Sequence, residues 1–139
     1  MLGFLNRKTA VNETVNQALS FSYDEEEIAA IDRLGTRVHC PIGTAIFTEG
    51  KPGHEAVIIL AGEVGVYREG LKVATVGAAD IVGEAALLTG QTRNASVVAK
   101  TEADVVVFTA TEFAALLSEC PRLDAQMQEL ISKRDEIAE

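Results

Sequence analysis

Between residues 36 and 110 the chain is cut by glycines at positions 43, 50, 53, 62, 70, 77, 83 and 90. The pieces left between them are only a few residues long. Most are β-prone runs: 37–40, 45–48, 56–61, 64–68 and 72–76, then 95–99 and 105–109. Short strands at regular spacing, separated by turn residues, predict a compact antiparallel sandwich or barrel. Val64 and Val66, and again Val73 and Thr75, show the alternation of a half-buried strand. Glu69-Gly70 sits where a tight hairpin turn belongs.

The flanks read as helix. In residues 1–35, Val11, Val15, Ala18 and Leu19 suggest a short first helix. A second starts at Tyr23-Asp24-Glu25-Glu26-Glu27, with Asp24 as N-cap and Glu27 closing a capping box. Ile28, Ile31 and Leu34 form its apolar stripe, and Gly35 supplies the stop. In residues 111–139, Thr111 is expected to cap a helix over 112–118, with Phe113, Leu116 and Leu117 inward. Pro121 fits the first turn of a last helix, whose stripe is Leu123, Met127, Leu130, Ile131 and Ile137. The expected fold class is therefore mainly β with flanking helices, read as one domain over 1–139.

The formal net charge is −9, from 12 Lys+Arg against 21 Asp+Glu, and the excess is spread over all three zones. That balance argues against general nucleic-acid binding and against docking on an anionic membrane surface. An anionic ligand would need a local pocket. No run approaches the roughly 20 apolar residues of a membrane span, and the start Met1-Leu2-Gly3-Phe4-Leu5 is apolar before it is basic, the reverse of a signal peptide. Leu2 rules out N-myristoylation. The expected address is cytoplasmic. Cys40 and Cys120 make no disulfide framework and read as free thiols. A metal site is poorly supported, because His39 and Cys40 are adjacent on a strand and should point to opposite faces.

Several motifs fail on spacing. Gly43 to Gly50-Lys51-Pro52 imitates a phosphate-binding loop, but the glycines lie too far apart and Pro52 replaces the metal-binding hydroxyl. No dinucleotide fingerprint and no Gly-x-Ser-x-Gly nucleophile motif is present. Asn12-Glu13-Thr14 and Asn94-Ala95-Ser96 match a glycosylation pattern that a cytoplasmic chain does not use.

Residues 82–97 are different. Gly83 opens a short helix-prone segment, Glu84-Ala85-Ala86-Leu87-Leu88, inside the β zone, and Arg93 follows after a turn at Gly90. The first N–H groups of a helix have no internal partners and favour an anion. Gly83 allows close approach. A guanidinium matches two phosphate oxygens at once. Glu84 would repel phosphate and suits a sugar hydroxyl instead. The combination asks for a phosphate beside a free sugar hydroxyl. The plainer alternative is an ordinary Glu84–Arg93 ion pair, with Gly83 merely ending a strand.

Gly83-Glu84-Ala85-Ala86-Leu87-Leu88 followed by Thr92-Arg93-Asn94-Ala95 resembles the phosphate-binding cassette of the cyclic nucleotide-binding domain family, the β-roll of catabolite activator protein and protein kinase A regulatory subunits. The resemblance extends through Ile46-Phe47-Thr48-Glu49-Gly50, 58–64, 76–80, Phe113 and 119–123, and so covers roughly residues 25–130. It implies an antiparallel β-roll, jelly-roll-like, with N-terminal helices and a C-terminal helix pair. It also implies roles. Glu84 would accept from the ribose 2′-hydroxyl and Arg93 would pair with the cyclic phosphate. The N–H groups of Ala85 and Ala86 would bond ribose and phosphate oxygens, assisted by that of Asn94 or Ala95. Gly83 would give close approach. Two residues depart from the family pattern: Val82 stands where an aromatic is usual, and Thr92 where proline is frequent. Asn94 stands where cGMP-preferring members often carry threonine, which leans toward cAMP over cGMP. The helix over 121–138 is the candidate cap for the purine, with Met127, Ile131 and Arg134 as its candidate residues, and the candidate surface for a homodimer. No helix-turn-helix reader or catalytic region is legible. The expected function is a non-enzymatic cyclic nucleotide sensor. The alternative is a degenerate β-roll kept as a structural or dimerisation module.

Overall fold

The computed structural model describes residues 23–138. The expected helix at Val11 to Leu19 lies outside the described residues, as do the side chains of Leu130, Ile131, Arg134 and Ile137. In chain order the elements are α1 (Glu25–Leu34), β1 (Thr36–Cys40), β2 (Ala45–Phe47), β3 (Glu55–Ala61), β4 (Val64–Arg68), β5 (Leu71–Val76), β6 (Ile81–Val82), α2 (Glu84–Thr89), β7 (Ser96–Ala99), β8 (Ala103–Thr109), α3 (Ala110–Glu119) and α4 (Pro121–Ala138). The strands form two four-stranded sheets, in the orders β1-β8-β3-β6 and β2-β7-β4-β5, and every pairing is antiparallel. The mainly β architecture with flanking helices is thus the expected β-roll.

Strands β3 and β8 hold the roll together because they are buried on both faces. Along β3, Ala56, Ile58 and Leu60 face the helices, while Val57 and Ile59 enter the cluster between the sheets. Along β8, Val106 and Phe108 join the helix-side cluster, and Ala103 and Val105 the inter-sheet one. This is why residues 56–61 read as a continuous apolar run rather than an alternation. On the helix side, Phe108 and Phe113 meet edge to face with centroids 6.1 Å apart, a favoured aromatic geometry.

Local signals explain the connections. Asp24 and Glu27 form the expected capping box, each side chain accepting the other residue's N–H at 2.8 Å. The β4–β5 turn places Glu69 and Gly70 at φ of 53° and 82°, both left-handed, as a tight two-residue hairpin requires. Gly35 ends α1, but in an extended conformation, φ −95°. Its constraint is packing: a Cβ there would fall 2.2 Å from Val106 Cγ1.

Two expectations need correction. The cap of α3 is Thr109, not Thr111. Thr109 Oγ1 accepts from Glu112 N at 3.2 Å and Glu112 Oε1 accepts from Thr109 N at 2.9 Å. Only Thr109 stands three residues before a glutamate, the spacing a capping box needs. The second is β6, a two-residue strand pairing with Val57 and Ile58, too short for any periodicity to reveal.

Candidate functional site

The turn that leads into β6 is fixed by buried groups. Asp80 is 1% exposed and its Oδ2 accepts from Gly77 N at 2.8 Å. The Ala79 carbonyl accepts the Tyr23 hydroxyl at 2.6 Å. Burial, and then the charges of Asp80 and Glu27, push the Tyr23 phenol well above its ordinary value, so it stays a donor. This anchors the start of the helical layer to the segment that delivers Val82 and Gly83.

Gly83 caps α2 with φ 85° and ψ 0°, a conformation that costs any other residue. A Cβ there would also meet Phe47 at 2.5 Å and Arg93 Nη1 at 2.8 Å. At the far end Gly90, φ 74°, sends its N–H back to the Ala86 carbonyl at 2.9 Å. The six-residue α2 is therefore bounded by two left-handed glycines. Glu84 is 1% exposed and its Oε2 accepts from Ala85 N at 2.8 Å. Ala86 is buried and Ala85 half-buried.

Arg93 comes back to this mouth. It is only 7% exposed. Its Nη1 donates to the Gly83 carbonyl at 2.8 Å and its Nη2 to the Glu55 carbonyl at 2.6 Å. The hydrogen bonds of the guanidinium thus go to main-chain oxygens and not to the Glu84 carboxylate. The ordinary ion-pair alternative does not describe the geometry. Burial lowers the Arg93 pKa, opposed by the nearby charges of Glu55 and Glu84, and a guanidinium stays ionised under such shifts. Two of its N–H groups are used by the protein. The others can meet an anion.

The main chain around Arg93 is clamped. Gly50 N donates to the Arg93 carbonyl and Arg93 N to the Lys51 carbonyl, both at 2.8 Å, and Thr92 bridges Pro52. These bonds order a turn that Thr92, lacking a proline ring, leaves freer in the unfolded chain. Asn94 is exposed, and its carbonyl accepts from Arg68 Nε at 3.2 Å. Ala95 is buried at the entrance to β7. Gly83, Glu84, Ala85, Ala86, Arg93, Asn94 and Ala95 therefore lie along one continuous helix-turn-strand segment, with Arg93 folded back onto its start.

The sequence reading missed three contributors. Gly53 admits the guanidinium, because a Cβ there would fall 2.4 Å from Ala86 Cβ and 3.0 Å from Arg93 Cζ. Glu55 contributes through its carbonyl, which no residue type signals. Phe47, 7% exposed and in the same buried cluster as Val82, lies beneath the guanidinium. Its signal was the aromatic in Ile46-Phe47-Thr48-Glu49-Gly50. Met127, a candidate for the purine cap, is fully buried in the helix-side cluster with Leu123 one turn before it. That position leaves it no face for a base in this conformation. Leu87 of α2 packs on the same cluster.

Comparison with known proteins places the chain. The family model described as "Cyclic nucleotide-binding domain" matches residues 37–120. A cAMP-dependent protein kinase regulatory subunit of Pyricularia oryzae is 36% identical over 98 residues, covering 69% of this chain and 24% of that protein. A Bradyrhizobium diazoefficiens protein named Glutaminase 2 is 37% identical over 97 residues, 67% of this chain and 15% of its own. The chain thus spans a quarter or less of these two curated relatives. Among solved structures, the Thermus thermophilus catabolite activator protein superposes with a TM-score of 0.75 at 24% identity, over 84% of this chain and 57% of that one, a likeness of fold. Among the described residues no helix is long and apolar enough to cross a membrane. With the β-roll, the glycine-bounded α2 and the model match over most of the described chain, the protein belongs to the cyclic nucleotide-binding domain family.

Proposed function

We propose that this chain is a non-enzymatic sensor domain that binds a cyclic nucleotide, cAMP in preference to cGMP. The observation that carries the reading is Arg93: a buried cation at the mouth of α2, with two N–H groups on backbone carbonyls. Its other N–H groups would meet the cyclic phosphate. Glu84 would accept from the ribose 2′-hydroxyl. The Ala85 N–H, which donates to Glu84 Oε2, would share or exchange that bond with a ribose or phosphate oxygen, and the Ala86 N–H would bond a second one. The N–H of Asn94 or Ala95 would assist, and Gly83 would let the ligand reach the backbone. Asn94 supports the cAMP preference, as do the names of the fungal kinase regulatory subunits that match.

The output would be mechanical. Leu87 ties α2 to the cluster holding Leu123 and Met127 of α4, so a ligand that shifts α2 biases α4 between two positions. A partner, or a second copy docking through α4, would read that position.

Calorimetric titration tests the reading. Wild type should bind cAMP more tightly than cGMP. Arg93→Ala removes charge-assisted bonds worth about 1.5–3 kcal/mol, a loss of roughly tenfold to over a hundredfold in affinity. Equal affinities would take Arg93 out of the site. No binding of either nucleotide by folded wild type would favour the degenerate structural module.

A further inference from the structure

The Arg93 Cζ lies 3.7 Å from the centroid of the Phe47 ring. Phe47 ends β2 and is 7% exposed, so its ring is held by the inter-sheet core and cannot swing away with solvent. A Cβ at position 83 would collide with the ring and one at position 53 would press on the guanidinium, so glycine at both leaves the pair room to stack. Among the described residues Arg93 forms no salt bridge. A buried cation must nevertheless be compensated, and the two carbonyls and the nearby charges of Glu55 and Glu84 act beside whatever lies on its face. The face of an aromatic ring carries negative quadrupole potential and attracts a guanidinium placed over it.

The chemical consequence separates this arrangement from an ion pair. A carboxylate partner would occupy the N–H edge of the fork and neutralise the charge a phosphate needs. An aromatic partner acts on the face of the guanidinium and leaves its N–H edge to an anion. We propose that Phe47 is a positioning residue, whose ring holds the Arg93 guanidinium at the mouth of α2 before nucleotide arrives. The proposal rests on the reading that Arg93 meets the cyclic phosphate, and it adds the residue that pre-sets that cation. It also assigns the aromatic ring beside the cassette to β2, where Val82 supplies none. Pre-organisation of this kind raises affinity by removing the cost of ordering a long side chain at the moment of binding.

Nuclear magnetic resonance of the nucleotide-free protein tests the seat directly. In wild type the Arg93 Nε–H proton should be shifted upfield by the Phe47 ring current. In Phe47→Leu, which keeps the position apolar, it should return to the ordinary arginine range. Calorimetry should then show cAMP binding to Phe47→Leu roughly three- to thirtyfold weaker. Combined with Arg93→Lys, which lacks the planar face, the two losses should fall well short of multiplying, because both remove one contact. An unshifted Nε–H in wild type, or losses that multiply independently, would overturn the proposal. The resonance needs no ligand. A wild type that binds no nucleotide would therefore sink the proposed function alone, and the resonance would still decide the seat.

Discussion

His39 stands between two carboxylates on the outer face of the β1–β8 pair. Its Nδ1 is 2.9 Å from Asp104 Oδ1 and its Nε2 is 2.7 Å from Glu102 Oε1. Two ionised carboxylates can both accept only from a protonated ring, so the geometry favours the imidazolium. The bonds to Asp104 and then Glu102 raise its pKa, against an opposing effect of desolvation. A pKa raised by folding stabilises the native state fully below the unfolded value of about 6.5, and the contribution is lost as pH rises through the folded value. Glu102 has the opposite sign. The Ile42 N–H and then His39 lower its pKa, so its contribution is lost as pH falls through the folded carboxylate value. Urea unfolding should therefore show the His39 contribution declining as pH rises above about 6.5 in wild type, with a flatter profile in His39→Gln. Identical profiles would mean that the pair is too solvated to matter. Single residues also mark the limit of what the sequence discloses. Cys40 faces inward beside the outward His39, as strand alternation requires. Gly53 and Gly35 were not legible as packing constraints, because the atoms that exclude a Cβ come from distant parts of the chain.

At the scale of elements, helix ends were the most legible feature. The acid-rich start of α1 and Pro121 at the start of α4 stand where their local chemistry puts them. Capping is decided within four residues and needs no tertiary knowledge. The start of α3 was misplaced because Thr109 and Thr111 are both good caps by type. The spacing to Glu112 decides between them. Thr109→Ala should lower stability by about 1 kcal/mol, read as a shift of the urea midpoint with an unchanged slope, whereas Thr111→Ala should do almost nothing. A larger loss from Thr111→Ala would contradict the capping geometry. The cassette helix was legible for a different reason: Gly83 and Gly90 both stand in left-handed conformations that punctuate a β zone. β6 was not legible, since its existence depends on β3 offering an edge.

Across the whole molecule, the two clusters are joined by β3 and β8, each of which presents alternate residues to both. The helical layer is stitched by contacts between distant elements. Arg122 at the start of α4 donates to Glu27 of α1 at 2.6 Å, and Arg33 of α1 pairs with Glu119 of α3. α2 touches this layer through Leu87, and Arg93, in the turn that follows α2, touches the roll through Phe47. A ligand held between α2 and Arg93, as proposed, would therefore act on both halves of the core. In a chain of net charge −9, the proposed affinity of that place for an anion would depend on one enclosed guanidinium rather than on the overall field. The sequence located that guanidinium and the helix mouth. The seat beneath it came from β2 and from backbone carbonyls, which carry no residue-type signature. Equilibrium unfolding with and without cAMP tests this account most directly. At a concentration 100 times the dissociation constant, wild type should gain about 2.7 kcal/mol, and at that same concentration Arg93→Ala should gain only about 0.3–1.3 kcal/mol. Superimposable curves with and without millimolar cAMP, or the same gain in both proteins, would contradict it.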